Sequence, residues 1–175
     1  MKKIIKYLGI ILLAVFCFWI SLLITYILPY PLNKINLLWV FIVLMLFKYK
    51  NFSVVFFSFW LFFFLEIYTY STPFGVILFS GVISGLFLFW LYKNVFTDYS
   101  FWASLALIVS TVTLFRLLYL FLSYLAATFF ESEFMDVKNI LLIYGWEILF
   151  TSSLLMLLYY FFKWLGKRYK IFSFN

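Results

Sequence analysis

Histidine is absent from this chain, and cysteine occurs once. The first absence removes the side chain most used for proton transfer near neutral pH. The single Cys17 cannot form an internal disulfide. With no histidine beside it, it cannot build a transition-metal cage. It lies within the first apolar run and reads as a core or lipid-facing residue. Charge is scarce as well. Charged residues make up 11% of the chain and hydrophobic ones 68%, with 27% aromatic. A soluble domain carries about a quarter charged residues, so a soluble fold of this composition could not cover its own surface. The chain has no long polar stretch, which leaves no room for a separate soluble domain.

Long apolar runs fill the space instead, and they define an integral membrane protein. They predict an all-α, polytopic chain forming a single transmembrane domain over residues 1–175, with six spans at about 7–28, 35–47, 52–70, 74–92, 101–124 and 140–162. The first run follows a basic head, as a signal peptide would. Its length, and its end at Leu28-Pro29-Tyr30-Pro31 without a small-x-small site, make it a retained helix. Proline ends a helix and holds its neighbour extended, so Pro29 to Lys34 is a break. The second run is short. Its 35–47 stretch reaches about 20 Å at 1.5 Å per residue, against a hydrocarbon core of ~30 Å. It must be part-embedded, extended into its flanks, or set in a thin patch of bilayer.

The net charge of +7 does not indicate nucleic acid, because the basic residues sit at run ends. With the N-terminus inside and six spans, the inside receives Lys2, Lys3, Lys6, Lys48, Lys50, Lys93, Lys163, Lys167, Arg168 and Lys170. The outside receives Lys34 and Lys138. That asymmetry follows the positive-inside rule and places both ends in the cytoplasm. Removing the second run as a span would reverse everything after it and destroy the asymmetry. Tyr26, Tyr30, Tyr68, Tyr70, Trp90, Tyr92, Tyr159, Tyr160 and Trp164 cluster near run ends, as an aromatic belt would.

Three ionisable residues fall inside the spans: Glu66, Arg116 and Glu147. An isolated charge in hydrocarbon is expensive, so each should face protein or water and be paired. Counted from the run ends they lie at comparable depth, and Arg116 is expected to pair with Glu66, Glu147 or both. They are also the candidates for binding a polar ligand or a partner's transmembrane helix. Without a histidine, a metal-ligand set or a nucleophile at hand, they make no recognisable enzyme, and no cofactor is implied. Ser71-Thr72-Pro73-Phe74-Gly75 reads as a tight turn, with proline fixing one dihedral and glycine accepting the unusual one. Ser71 or Thr72 is placed to cap the fourth helix. Gly81 and Gly85 form a small-xxx-small pair that lets another backbone approach, more readily within the molecule than across a dimer.

The stretch Leu65-Glu66-Ile67, a short polar turn, then Pro73-Phe74-Gly75, resembles the bacterial rod shape-determining family MreD. There an acidic residue late in one apolar helix is followed by a polar turn and Pro-x-Gly. Pro31-Leu32-Asn33 ahead of Leu37-Leu38-Trp39-Val40 is similar to the approach to that family's second apolar segment. This chain departs from the pattern in having glutamate for aspartate at position 66, a turn one residue longer, and none of the glycines usual in the preceding helix. The resemblance implies a non-enzymatic component of the cell-shape and peptidoglycan elongation machinery in the bacterial inner membrane. It would scaffold an MreC-like protein and wall synthases, with Glu66, Pro73 and Gly75 as the motif positions. The alternative is a substrate-binding (S) subunit of an energy-coupling-factor vitamin transporter, which has a similar architecture. Those subunits carry an Ala-xxx-Ala docking face on the first helix, where this chain has Ala14 alone among bulky residues.

Overall fold

A computed structural model describes residues 2–49, 51–69, 74–96, 101–130 and 137–169, with side chains described for 7–49, 51–69, 74–96, 102–129 and 142–161. Among the described residues the regular structure is entirely helical. α1 is Lys2–Ile27, a short 3-10 helix is Leu32–Lys34, and α2 is Leu37–Tyr49. α3 is Ser53–Tyr68, α4 Val76–Asn94, α5 Phe101–Phe130 and α6 Val137–Tyr169. Four stretches are long and apolar enough to cross a membrane: Tyr7–Ile27, Val76–Asn94, Trp102–Phe129 and Leu142–Phe161. α2 and α3 have 13 and 16 residues, which reach about 20 and 24 Å. α3 is shorter than its apolar run because Thr69 leaves the helix with extended geometry, its hydroxyl turned back onto the Leu65 carbonyl at 2.8 Å.

α3 sits at the centre, packed against α1, α2 and α4. α1 runs alongside it in parallel: Tyr7 meets Phe56, and Phe18 meets Phe64 and Tyr68. α4 folds back antiparallel, and its two small residues permit the approach. A Cβ added at Gly81 would overlap the Phe62 ring, and one at Gly85 would meet Ser58 Oγ at 2.6 Å. Both glycines therefore serve the α3–α4 contact inside the molecule. Trp39, Phe62 and Phe115 form a triangle of rings with centroids 5.0 to 5.6 Å apart, tying α2, α3 and α5 together. Hydroxyls inside the apolar helices are mostly spent on their own backbone: Ser80 donates to Val76 O, Ser110 to Ala106 O and Thr111 to Leu107 O. Such back-bonding lets a polar residue sit in hydrocarbon without a further partner.

The ring triangle also fixes relative height. α3 ends about six residues, or ~9 Å, beyond Phe62, whereas α5 continues about 15 residues, or ~22 Å, beyond Phe115. The end of the bundle carrying the α1–α2, α3–α4 and α5–α6 connections is therefore stepped. α2, α3 and the start of α4 form its floor, and α5 rises above them.

The packing yields a paired test. Gly81→Ala should lower the melting temperature in detergent, corresponding to about 1–3 kcal/mol of overpacking. Gly145→Ala, where nothing lies within 4 Å of the added Cβ, should be neutral or slightly stabilising. Equal melting temperatures for the two variants would contradict the α3–α4 packing.

Candidate functional site

The chain reversal after α3 is closed by Glu66. This residue lies in the last turn of α3 and is 3% exposed. Its Oε1 accepts the Gly75 N–H at 3.0 Å, and its Oε2 accepts the Leu78 N–H at 2.6 Å. These are donors that the start of α4 cannot satisfy within its own helix. A carboxylate there also meets the positive end of the helix dipole. Gly75 is the N-cap and adopts φ +105°, the left-handed region that suits glycine. Its own lack of a side chain leaves capping to a neighbour, and Glu66 supplies it from nine residues away in sequence. The expected capping residues Ser71 and Thr72, and the turn residue Pro73, lie outside the described residues.

Arg116 pairs with Glu147 and not with Glu66. Its Nε donates to Glu147 Oε2 at 2.5 Å. The other oxygen, Oε1, accepts Asn36 Nδ2 at 2.6 Å. The Asn36 backbone N–H in turn donates to Thr151 Oγ1 at 2.9 Å, one helical turn along α6. A further link joins the Tyr144 and Thr113 hydroxyls at 2.6 Å between α6 and α5. The guanidinium rests over the Phe115 and Tyr119 rings, 5.6 and 5.8 Å from their centroids, an arrangement that favours a cation.

All four carboxylate oxygens of Glu66 and Glu147 thus accept an N–H. Neither acid is left as a free acceptor, and both are positioned as locks. Among the described residues no group of three or more His, Cys, Asp or Glu is placed to hold a metal. Arg116 is different. Its Nε is used, but its two terminal amino groups have no hydrogen-bond partner among the described residues, and the side chain is 25% exposed.

Along the described part of α6 the buried positions are Glu147, Thr151 and Leu155, a single stripe at intervals of four. Two of the three are polar. In lipid, apolar contact gives little net drive for helix association, because the tails are as apolar as leucine. The hydrogen bonds of Tyr144, Glu147 and Thr151 are accordingly what fix α6 on α5 and on the α1–α2 connection. Sequence reading found Glu147 and missed Asn36, Thr113, Tyr144 and Thr151. Thr151 carried a usable signal, lying one turn beyond a membrane carboxylate. Asn36 carried a weaker one, as an amide immediately before an apolar run.

Comparison with protein-family models, curated proteins and solved structures finds no match to this chain.

Arg116→Leu should destabilise the protein by about 3–5 kcal/mol, because it strands a buried carboxylate. Arg116→Leu combined with Glu147→Leu should recover a large part of that loss, measured as melting temperature or resistance to unfolding in mixed micelles. Additive losses would show that the pair is not coupled.

Proposed function

We propose that this chain is a non-enzymatic scaffold of the bacterial inner membrane, acting in cell-wall elongation in the manner of MreD. It crosses the membrane six times with both ends in the cytoplasm. Its partners are an MreC-like protein and wall synthases. The observation that carries this reading is the α3–α4 hairpin. Glu66 and Gly75, two of the positions on which the resemblance rests, meet directly through the Gly75 N–H, and Leu78 completes the closure. A buried acid used in this way fixes the start of α4 against the end of α3, a closure suited to presenting a surface. It makes no catalytic centre.

Six spans are supported by the distribution of lysine and arginine, which loses its asymmetry if α2 does not cross. They also require that the bilayer adapt to two short helices, by thinning or by snorkelling of flanking residues. On the alternative reading as a transporter S subunit, α1 would offer an alanine face to a coupling subunit. Ala14 is fully buried in the helix core, which weighs against that use.

Affinity capture from native membranes in mild detergent, with mass spectrometry of the partners, tests the proposal. It should recover an MreC-like protein together with wall synthases. Glu66→Ala, which opens the hairpin, should reduce that recovery several-fold. Recovery of a coupling subunit with its ATPases would overturn the scaffold reading. Reporter fusions at the two ends should both register in the cytoplasm, and opposite locations would exclude six spans.

A further inference from the structure

The stepped end of the bundle places a cation where nothing among the described residues completes its bonding. Arg116 lies at the floor, level with Phe115 and the aromatic triangle. It is near the middle of the apolar stretch Trp102–Phe129. An arginine held at that depth with free N–H donors is costly unless something polar reaches it. The route is provided by the α1–α2 connection. Asn36 is bonded to Glu147 and Thr151, which lie five and nine residues inside the apolar stretch Leu142–Phe161. The connection from Pro29 to Asn36, irregular apart from the single 3-10 turn Leu32–Lys34, therefore dips below the level at which α5 and α6 still continue. Irregular backbone at membrane depth is tolerated where it is packed in protein or lines a polar space.

Charge indicates what fills the space. Both oxygens of Glu66 are taken up by the α4 N-terminus. Glu147 offsets Arg116. Lys34, at the end of the 3-10 helix and two residues before Asn36, brings a second cation to the same connection and has no ion-pair partner among the described residues. Arg116 and Lys34 thus balance Glu66 and Glu147 in formal charge, and what is left unspent is the pair of terminal amino groups on Arg116. The Nη1 and Nη2 groups of Arg116 have no hydrogen-bond partner among the described residues, and a planar guanidinium fork matches the spacing of oxyanion oxygens.

We propose that this floor binds a phosphate oxyanion, with the terminal amino groups of Arg116 as the receptor and Lys34 as the supporting cation. The phosphate arrives on a lipid headgroup drawn into the step or on a soluble phosphate ester; the recognising chemistry is the same. The short α2 and α3 favour the first source, because they bring the headgroup layer closer to Arg116 than a full-thickness bilayer does. The site is separate from the scaffold role, and either can fail without the other.

The test uses the full-length protein purified in a non-ionic detergent. Native mass spectrometry compares occupancy by phosphatidylglycerol with occupancy by a galactosyl diacylglycerol, which lacks phosphate. Thermal shift measures the response to glycerol 3-phosphate and to inorganic phosphate. Wild-type protein should retain phosphatidylglycerol in preference to the galactolipid, or be stabilised by the soluble phosphates. Arg116→Lys keeps the charge opposite Glu147 but removes the fork, and should cut that preference about tenfold. Lys34→Gln, at a half-buried site whose side chain makes no hydrogen bond to Glu147, Asn36 or Thr151, should cut it about threefold without changing helical content. A response to lipid alone identifies a headgroup, and a response to the soluble phosphates identifies a free ester. If neither probe discriminates, or if the preference is unchanged in Lys34→Gln and Arg116→Lys alike, the proposal is overturned.

Discussion

Hydrocarbon offers no hydrogen-bonding solvent, so a carboxylate buried within it must be met by the protein itself. Glu147 is where that constraint acts most strongly on this molecule. It is 1% exposed, and it joins three parts of the chain: α6, Arg116 on α5, and Asn36 at the head of α2. Apolar contact alone would leave α6 indifferent between lipid and bundle. The carboxylate and its neighbour Thr151 give it one register and one rotation. The same constraint operates at Glu66, where the unsatisfied amides of the α4 N-terminus and a buried acid complete each other. Two acids thereby organise the stepped end of the bundle, one by closing a hairpin and the other by seating a helix.

The placement of Asn36 also accounts for the shortness of α2. The helix begins only after the connection has descended to the level of Glu147 and Thr151. Thirteen residues then suffice to return to Tyr49. α3, with 16 residues, is short as well, and Gly81 and Gly85 bring α4 close enough to it for Phe62 and Ser58 to fill the contact. α5 and α6 keep greater length, and the step results from the difference.

The helices were legible because apolar runs and proline breaks are local signals. The turn at Gly75 was legible for a similar reason, since a left-handed residue requires glycine or its near equivalents. Charges inside apolar runs could be identified as buried, and the pairing of Arg116 with one or both acids followed from cost alone. Which acid took Arg116 was not legible. That choice depends on the rotation of α3 relative to α5, which the Trp39, Phe62 and Phe115 rings set through space. The capping role of Glu66 was missed because a residue is ordinarily sought as a cap immediately before its helix, and this one comes from the preceding helix. Asn36, Thr113, Tyr144 and Thr151 were missed because neutral polar residues in apolar runs usually bond their own backbone, as Ser80 and Ser110 do here.

The head of α2 is seated against the middle of α6 through Asn36. Disulfide crosslinking in native membranes tests it most directly. Cys17, the single native cysteine, is first replaced by alanine. Asn36→Cys paired with Thr151→Cys should then crosslink rapidly under mild oxidation. Asn36→Cys paired with Ser153→Cys, on the outward face of α6, should crosslink far more slowly. Equal rates for the two pairs, or no crosslink for the first, would contradict the seating of α6 described here.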